Sequence, residues 1–195
     1  MNRYALVIGV AFVLVTVFSA TTLALTVDTY QAFTDARIKL TPSAGNIYIK
    51  EVRIPLINSL DTDVRVTILV EVNNPTRLDV WVYNIEFQLW MLNESTMGNI
   101  GNPQAMEQSY VWTGGFFRYD DPDYFVPSGG NATLLSSLTV TSRPKLEALN
   151  KTDAQGRYYP FIRADMRYNV VDLDIAVPVH GIYFFSTTGV EPYEG

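Results

Sequence analysis

The residues that could do chemistry are few, and their spacing limits them. His180 is the only histidine, in "VPVHGIYFF", where strand-like residues end. A Ser-His-Asp triad would have to use it, yet no G-x-S-x-G turn is present to expose a nucleophilic serine. There is no cysteine, so thiol nucleophiles and disulfides are absent, and a zinc site built from several His or Cys is excluded. Neither a P-loop nor a dinucleotide fingerprint occurs, and "SGGN" reads as a turn whose spacing is wrong for a phosphate cradle. Carboxylates remain. Asp120, Asp121 and Asp123 cluster in "RYDDPDYF", a density of hard oxygen ligands that can hold calcium, but without EF-hand spacing. The plainer reading of that cluster is a solvated Asp-Pro turn. Asp61 and Asp63 form a weaker pair, and no spacing favours a glycosidase carboxylate pair. The expectation is a protein without enzymatic activity or cofactor.

Three Asn-x-Ser/Thr sequons, at Asn93, Asn131 and Asn150, are acceptors for glycosylation in an exported chain. Aromatic residues crowd the stretch from Trp90 to Phe125. Within it Gly114-Gly115 reads as a hinge, and Phe116, Phe117, Tyr119 and Tyr124 are a candidate partner surface if their rings face out. The competing reading packs those rings into a core, the usual place for aromatics in β proteins.

These residues need a compartment and a scaffold. From Tyr4 to Val27 the chain has 24 residues without a charge. As a helix that is about 36 Å, enough to cross a hydrocarbon core of about 30 Å. Arg3 precedes the run and Asp28 comes directly after it, so the positive-inside bias puts the N-terminus in the cytoplasm and the rest outside. A cleaved signal peptide, cut after Ser19 or Ala24, is the competing reading. Residues 28–195 hold all 20 acidic residues and 13 of the 14 basic ones, a net charge of −7. An acidic surface without a basic cluster argues against nucleic acid as a partner. Membrane lipid around the N-terminal helix, and a protein partner or surface assembly, are the partners expected. A cysteine-free exported domain suits a bacterial or archaeal cell surface.

Residues 28–45 lack clear periodicity and read as a stalk. Beyond them the chain turns to period-two segments rich in β-branched and aromatic residues. Ile47 to Ile54 is a strand. Val64, Val66, Ile68, Val70 and Val72 alternate with more polar residues until Asn73-Asn74-Pro75 stops the ladder. Leu78 to Trp90 is the next strand, and its parity changes between Val82 and Ile85, which predicts a bulge near Tyr83-Asn84. "NATLLSSLTVTS" is a strand, and Pro144 opens a short helix, "PKLEALN". Ile162–Tyr168 and Asp172–Phe185 supply the last two strands. The fold class is therefore mainly β, a sandwich of about seven strands with one short helix behind an N-terminal transmembrane helix. Its parts are an anchor at 1–27, a stalk at 28–45, the sandwich at 46–186 and a tail at 187–195.

The order "VEVNNPTRLDV", "YNIEFQLWM", "YFVPSGGNATLLSSLTV", "PKLEALN", "YYPFIRADMRYNV" and "DLDIAVPVHGIYFF" resembles the late-embryogenesis-abundant (LEA) type 2 family, also called the WHy domain. The resemblance covers roughly residues 45–186, and its motif-like element is the Asn-Pro after the first core strand. It implies an immunoglobulin-like or fibronectin-like sandwich tied to stress and desiccation tolerance, with no catalytic residues. The segment 93–123 is longer and more aromatic than the family pattern. Function is then expected to be binding or envelope stabilisation by a single-pass membrane protein. The alternative is a structural or accessory subunit of a surface filament or membrane complex.

Overall fold

The structure is a computed structural model that describes residues 3–92, 104, 106–107, 110–117, 124–171, 173 and 175–194, with the backbone alone at 3–8 and 111–117. Among these residues seven longer strands form two antiparallel sheets. They are β1 (Ile47–Arg53), β2 (Val64–Asn73), β3 (Val80–Leu92), β4 (Tyr110–Phe117), β6 (Asn131–Val140), β7 (Tyr159–Val170) and β8 (Ile175–Phe185), with a two-residue β5 (Phe125–Val126) between β4 and β6. One sheet has the order β1-β2-β6. The other runs β4-β3-β7-β8, and β5 continues the line of β4 along the same edge of β3.

The strands form where period-two alternation lets one face meet the opposite sheet. Val64, Val66, Ile68, Val70 and Val72 of β2 are all buried, as are Ile85, Phe87 and Leu89 of β3. The parity change in β3 is a bulge: the register with β7 shifts between Val82 and Asn84. A second bulge lies in β8, where Met166 pairs with Val179 but Ala164 pairs with Ile182. Gly181 takes up the extra residue at φ 75°, and its N–H donates to Asp165 Oδ1 at 2.8 Å. His180 is thus mid-strand, not at a strand end. The short helix α2 (Arg143–Leu149) has Pro144 in its first turn and buries Leu146 and Leu149.

The long helix α1 (Arg3–Lys39) differs from expectation at its far end. Residues 28–39, read as a stalk from sequence, are helical, and the helix meets the sandwich directly. Ala32, Ala36 and Leu40 recur four residues apart and are buried against the open end of the sandwich, with Phe33 beside them. The small alanines let the helix backbone come close enough for Tyr168 Oη to donate to Ala36 O at 3.4 Å. Burial pushes the Tyr168 pKa up to about 12, despite the nearby Arg37 cation. Arg37 and Lys39 in the last turn oppose the negative end of the helix dipole. Asn46 Nδ2 caps Lys39 O at 3.0 Å.

Toward its N-terminus α1 stands clear of the other described residues. Phe12 and Phe18 are 73% and 74% exposed, and an 18-residue window averages 2.2 in hydropathy, so the helix is long and apolar enough to cross a membrane. Its threonines hide their hydroxyls. Thr16, Thr21, Thr22 and Thr26 each donate to the carbonyl four residues back at 2.9 Å. Such bonding lowers the cost of a hydroxyl in hydrocarbon.

Candidate functional site

Asn74 is the most heavily bonded polar side chain of the turn that links the sheets. It is 1% exposed. Its Nδ2 donates to Leu78 O at 2.8 Å and to Val126 O and Pro127 O at 3.2 Å. Its Oδ1 accepts from Thr76 Oγ1 at 2.7 Å and Thr76 N at 3.2 Å. Two of the three crossings between the sheets among the described strands, β2 to β3 and β5 to β6, occur at this end of the sandwich, and Asn74 ties one to the other. Arg77 extends from the same turn to Asp28 on α1, with Nη2 2.6 Å from Oδ1. The Asn-Pro element is therefore an internal lock beside the helix joint, already saturated with partners.

A second lock lies at the opposite end. Asp153 is 3% exposed by side chain and accepts from Arg157 N and Nε at 2.8 Å, Tyr159 Oη at 2.8 Å and Gln155 N at 2.9 Å. Burial acts to raise its pKa, but the donors from Arg157, Tyr159 and Gln155 outweigh it and hold the carboxyl far below the usual range.

The residues singled out in the sequence are not brought together. His180 is exposed, and its Nδ1 lies 3.6 Å from Asp165 Oδ1. Asp61 and Asp63 sit on an exposed turn. Asp120, Asp121, Asp123, Tyr119 and Asn93 lie outside the described residues. Among the described residues no three His, Asp or Glu side chains gather as a metal would require. Gly114 to Phe117 form strand, not a hinge: Gly114 pairs with Phe87, Gly115 with Glu86, Phe116 with Ile85 and Phe117 with Asn84. The open edge of β3 satisfies their backbone groups, which outweighs the low strand propensity of glycine. Tyr124 is 8% exposed and donates to Leu135 O at 2.6 Å, so it belongs to the core and not to a partner surface. Asn131 and Asn150 are exposed, the first opening β6 and the second closing α2.

The outer face of the four-stranded sheet carries an arrangement the sequence did not reveal. Tyr110 of β4 pairs with Trp90 of β3, Trp90 with Phe161 of β7, and Phe161 with Phe185 of β8. Trp90 lies 5.6 Å from Tyr110 and 5.4 Å from Phe161 between ring centroids. Tyr183 stacks on Phe161 at 6.2 Å and 21°. One row of rings thus spans all four strands. Tyr183 is 61% exposed and Tyr110 39% exposed. Arg163 lies beside the row, paired with Gln88 and Tyr183, and its buried Nε–H has no acceptor among the described residues. The density around Trp90 and Tyr110 is visible in the sequence. Phe161, Tyr183 and Phe185 carry a weaker signal: Phe161 and Tyr183 are out of phase with the buried Ile162 and Ile182, and Phe185 shares the phase of Tyr183.

No family model matches this sequence, and no curated protein matches it either. Among solved structures it is similar to a protein from Archaeoglobus fulgidus at 13% identity and TM-score 0.42, over 71% of this chain and 94% of that one. It is also similar to the structural-genomics target SoR45, at 7% identity and TM-score 0.43, over 75% and 88%. A protein from Bordetella pertussis matches at 9% identity and TM-score 0.42, over 76% and 94%.

Proposed function

We propose that this chain is a non-enzymatic binding domain of the LEA type 2 kind, held on the outside of a membrane by α1 and recognising an envelope component through the aromatic row. The row itself is the observation that carries this reading. Rings in contact across four strands, two of them exposed, offer apolar area to a partner. From Phe161 to Val170 β7 advances nine residues, so the row stands about 30 Å from the helix end of the sandwich. With Arg3 inside and Asp28 outside, it would point away from the bilayer. The exposed sequons at Asn131 and Asn150 suit a glycosylated exterior. The stress-tolerance role rests on the family resemblance, of which the Asn74 lock is the local part.

The test is chemical cross-linking in native membranes, comparing the unaltered chain with Tyr183→Ala. Tyr183 is exposed enough to lose without unfolding the sheet. Loss of a cross-linked species with melting unchanged supports the row as a binding surface. An identical cross-link pattern overturns it.

The continuity of α1 favours the filament or complex reading as well. The helix is unbroken for 37 residues and is packed on the sandwich without a stalk, so helix and domain would enter an assembly as one body. Sizing in mild detergent, monomer against discrete oligomer, separates the two.

A further inference from the structure

The helix and the sandwich leave an apolar groove between them, of about 420 Å³. One wall is α1 from Thr22 and Leu25 up to Tyr30 and Phe33, and the other is Leu173 and Ile175, where β7 turns into β8. Thr22 and Leu25 belong to the uncharged run that ends at Val27. We infer that this end of the sandwich is seated in the outer leaflet of the bilayer, with lipid acyl chains filling the groove. The inference rests on the reading of α1 as a membrane anchor.

Continuity with the span carries the argument. If the uncharged run is in hydrocarbon up to Val27, a side chain that shares a groove with Thr22 and Leu25 lies at or below the headgroup level. The exposed apolar side chains at this end agree. Val171 and Ile175 are 40% and 41% exposed at this end, and Tyr30 is 70% exposed on the helix one turn above Val27, the position where amphipathic rings favour the interface. The polar side chains of the lower wall are threonines, and the hydroxyls of Thr22 and Thr26 are spent on backbone carbonyls. In water these walls would stay wetted at a cost; acyl chains remove that cost. The height of the turn is fixed, because Ala36, Leu40 and the Arg77–Asp28 pair clamp the sandwich to the helix. Sequence puts Asp172 and Asp174 on either side of Leu173, so the seat is made by apolar contact and not by attraction to anionic headgroups.

The chain has no cysteine, so single thiols can be placed at will. Leu173→Cys, Ile175→Cys, Val13→Cys and Tyr183→Cys, each spin-labelled in the full chain in phosphatidylcholine vesicles, report depth through their relative accessibility to oxygen and to a nickel chelate. Labels at 173 and 175 are expected to favour oxygen over nickel several-fold more than the label at 183, and less than the label at 13. Labels at 173 and 175 as open to nickel as the one at 183, with 13 protected, overturn the seat and leave the anchor standing. A label at 13 open to nickel overturns both. Protection at 175 accompanied by dipolar broadening that fades on dilution with unlabelled chain would show a second copy in the groove, and would likewise overturn the lipid assignment.

Discussion

At the scale of single residues, two buried polar groups define the ends of the sandwich. Asn74 satisfies three carbonyl oxygens and two donors from one amide. Asn74→Ala removes all five contacts inside the protein and is expected to lower stability by about 3 kcal/mol, since each abandoned buried group costs on the order of 1 kcal/mol or more. Asn74→Asp should be at least as damaging, because it sets a carboxylate against three carbonyls. Urea unfolding measures both, and an unchanged midpoint for either would refute the lock. Asp153 predicts a pH dependence. Its native pKa is depressed, so its stabilising contribution is complete above the unfolded value of about 3.9 and is lost as pH falls below that toward the native value. Thermal melts between pH 5 and pH 2 should show a steep acid limb, and Asp153→Asn should flatten it while lowering stability at neutral pH.

At the scale of elements, the joint between α1 and the sandwich is held by packing more than by charge. The Arg77–Asp28 pair is short, but both side chains are more than half exposed. Arg77→Ala should cost under about 1 kcal/mol. Ala36 is fully buried with a Tyr168 hydroxyl at its carbonyl, so Ala36→Leu has no room and should cost about 1–3 kcal/mol. Denaturant melts of the two variants test the order. If Arg77→Ala proved the worse, the account of the joint would fail. The bulge in β8 is a second such feature. A Cβ on Gly181 would meet the Tyr183 ring at 3.0 Å, and the φ of 75° already disfavours any side chain. Gly181→Ala should therefore disturb the aromatic row as well as the strand, and the near-ultraviolet dichroism of the rings reads this directly.

At the scale of the molecule, the last turns of α1 close the open end of the core. A chain beginning at residue 28 keeps Ala32, Ala36 and Leu40 and should melt as a folded soluble domain. A chain beginning at residue 41 loses them, exposes the surface they cover, and should be less stable by a few kcal/mol, given about 2 kcal/mol for one buried leucine alone. Equal melting temperatures for the two would mean that the helix end contributes no stability to the sandwich.

The strands with strict alternation, the Asn-Pro stop, the β3 bulge and the Pro144 helix were legible in the sequence, because each depends on a local period or on the backbone limits of one residue type. The uncharged run from Tyr4 to Val27 was legible for the same reason. The rest required the tertiary structure. The helical fate of residues 28–39 depends on a partner surface for Ala32, Ala36 and Leu40, a spacing too sparse to announce a helix alone. Gly114 and Gly115 enter a strand only because the edge of β3 is there to pair with them. The aromatic row and the groove belong to no single segment. Strand register sets Tyr110, Trp90, Phe161 and Phe185 side by side, and only the docking of α1 brings Leu173 and Ile175, about 150 residues distant in sequence, against Thr22 and Leu25.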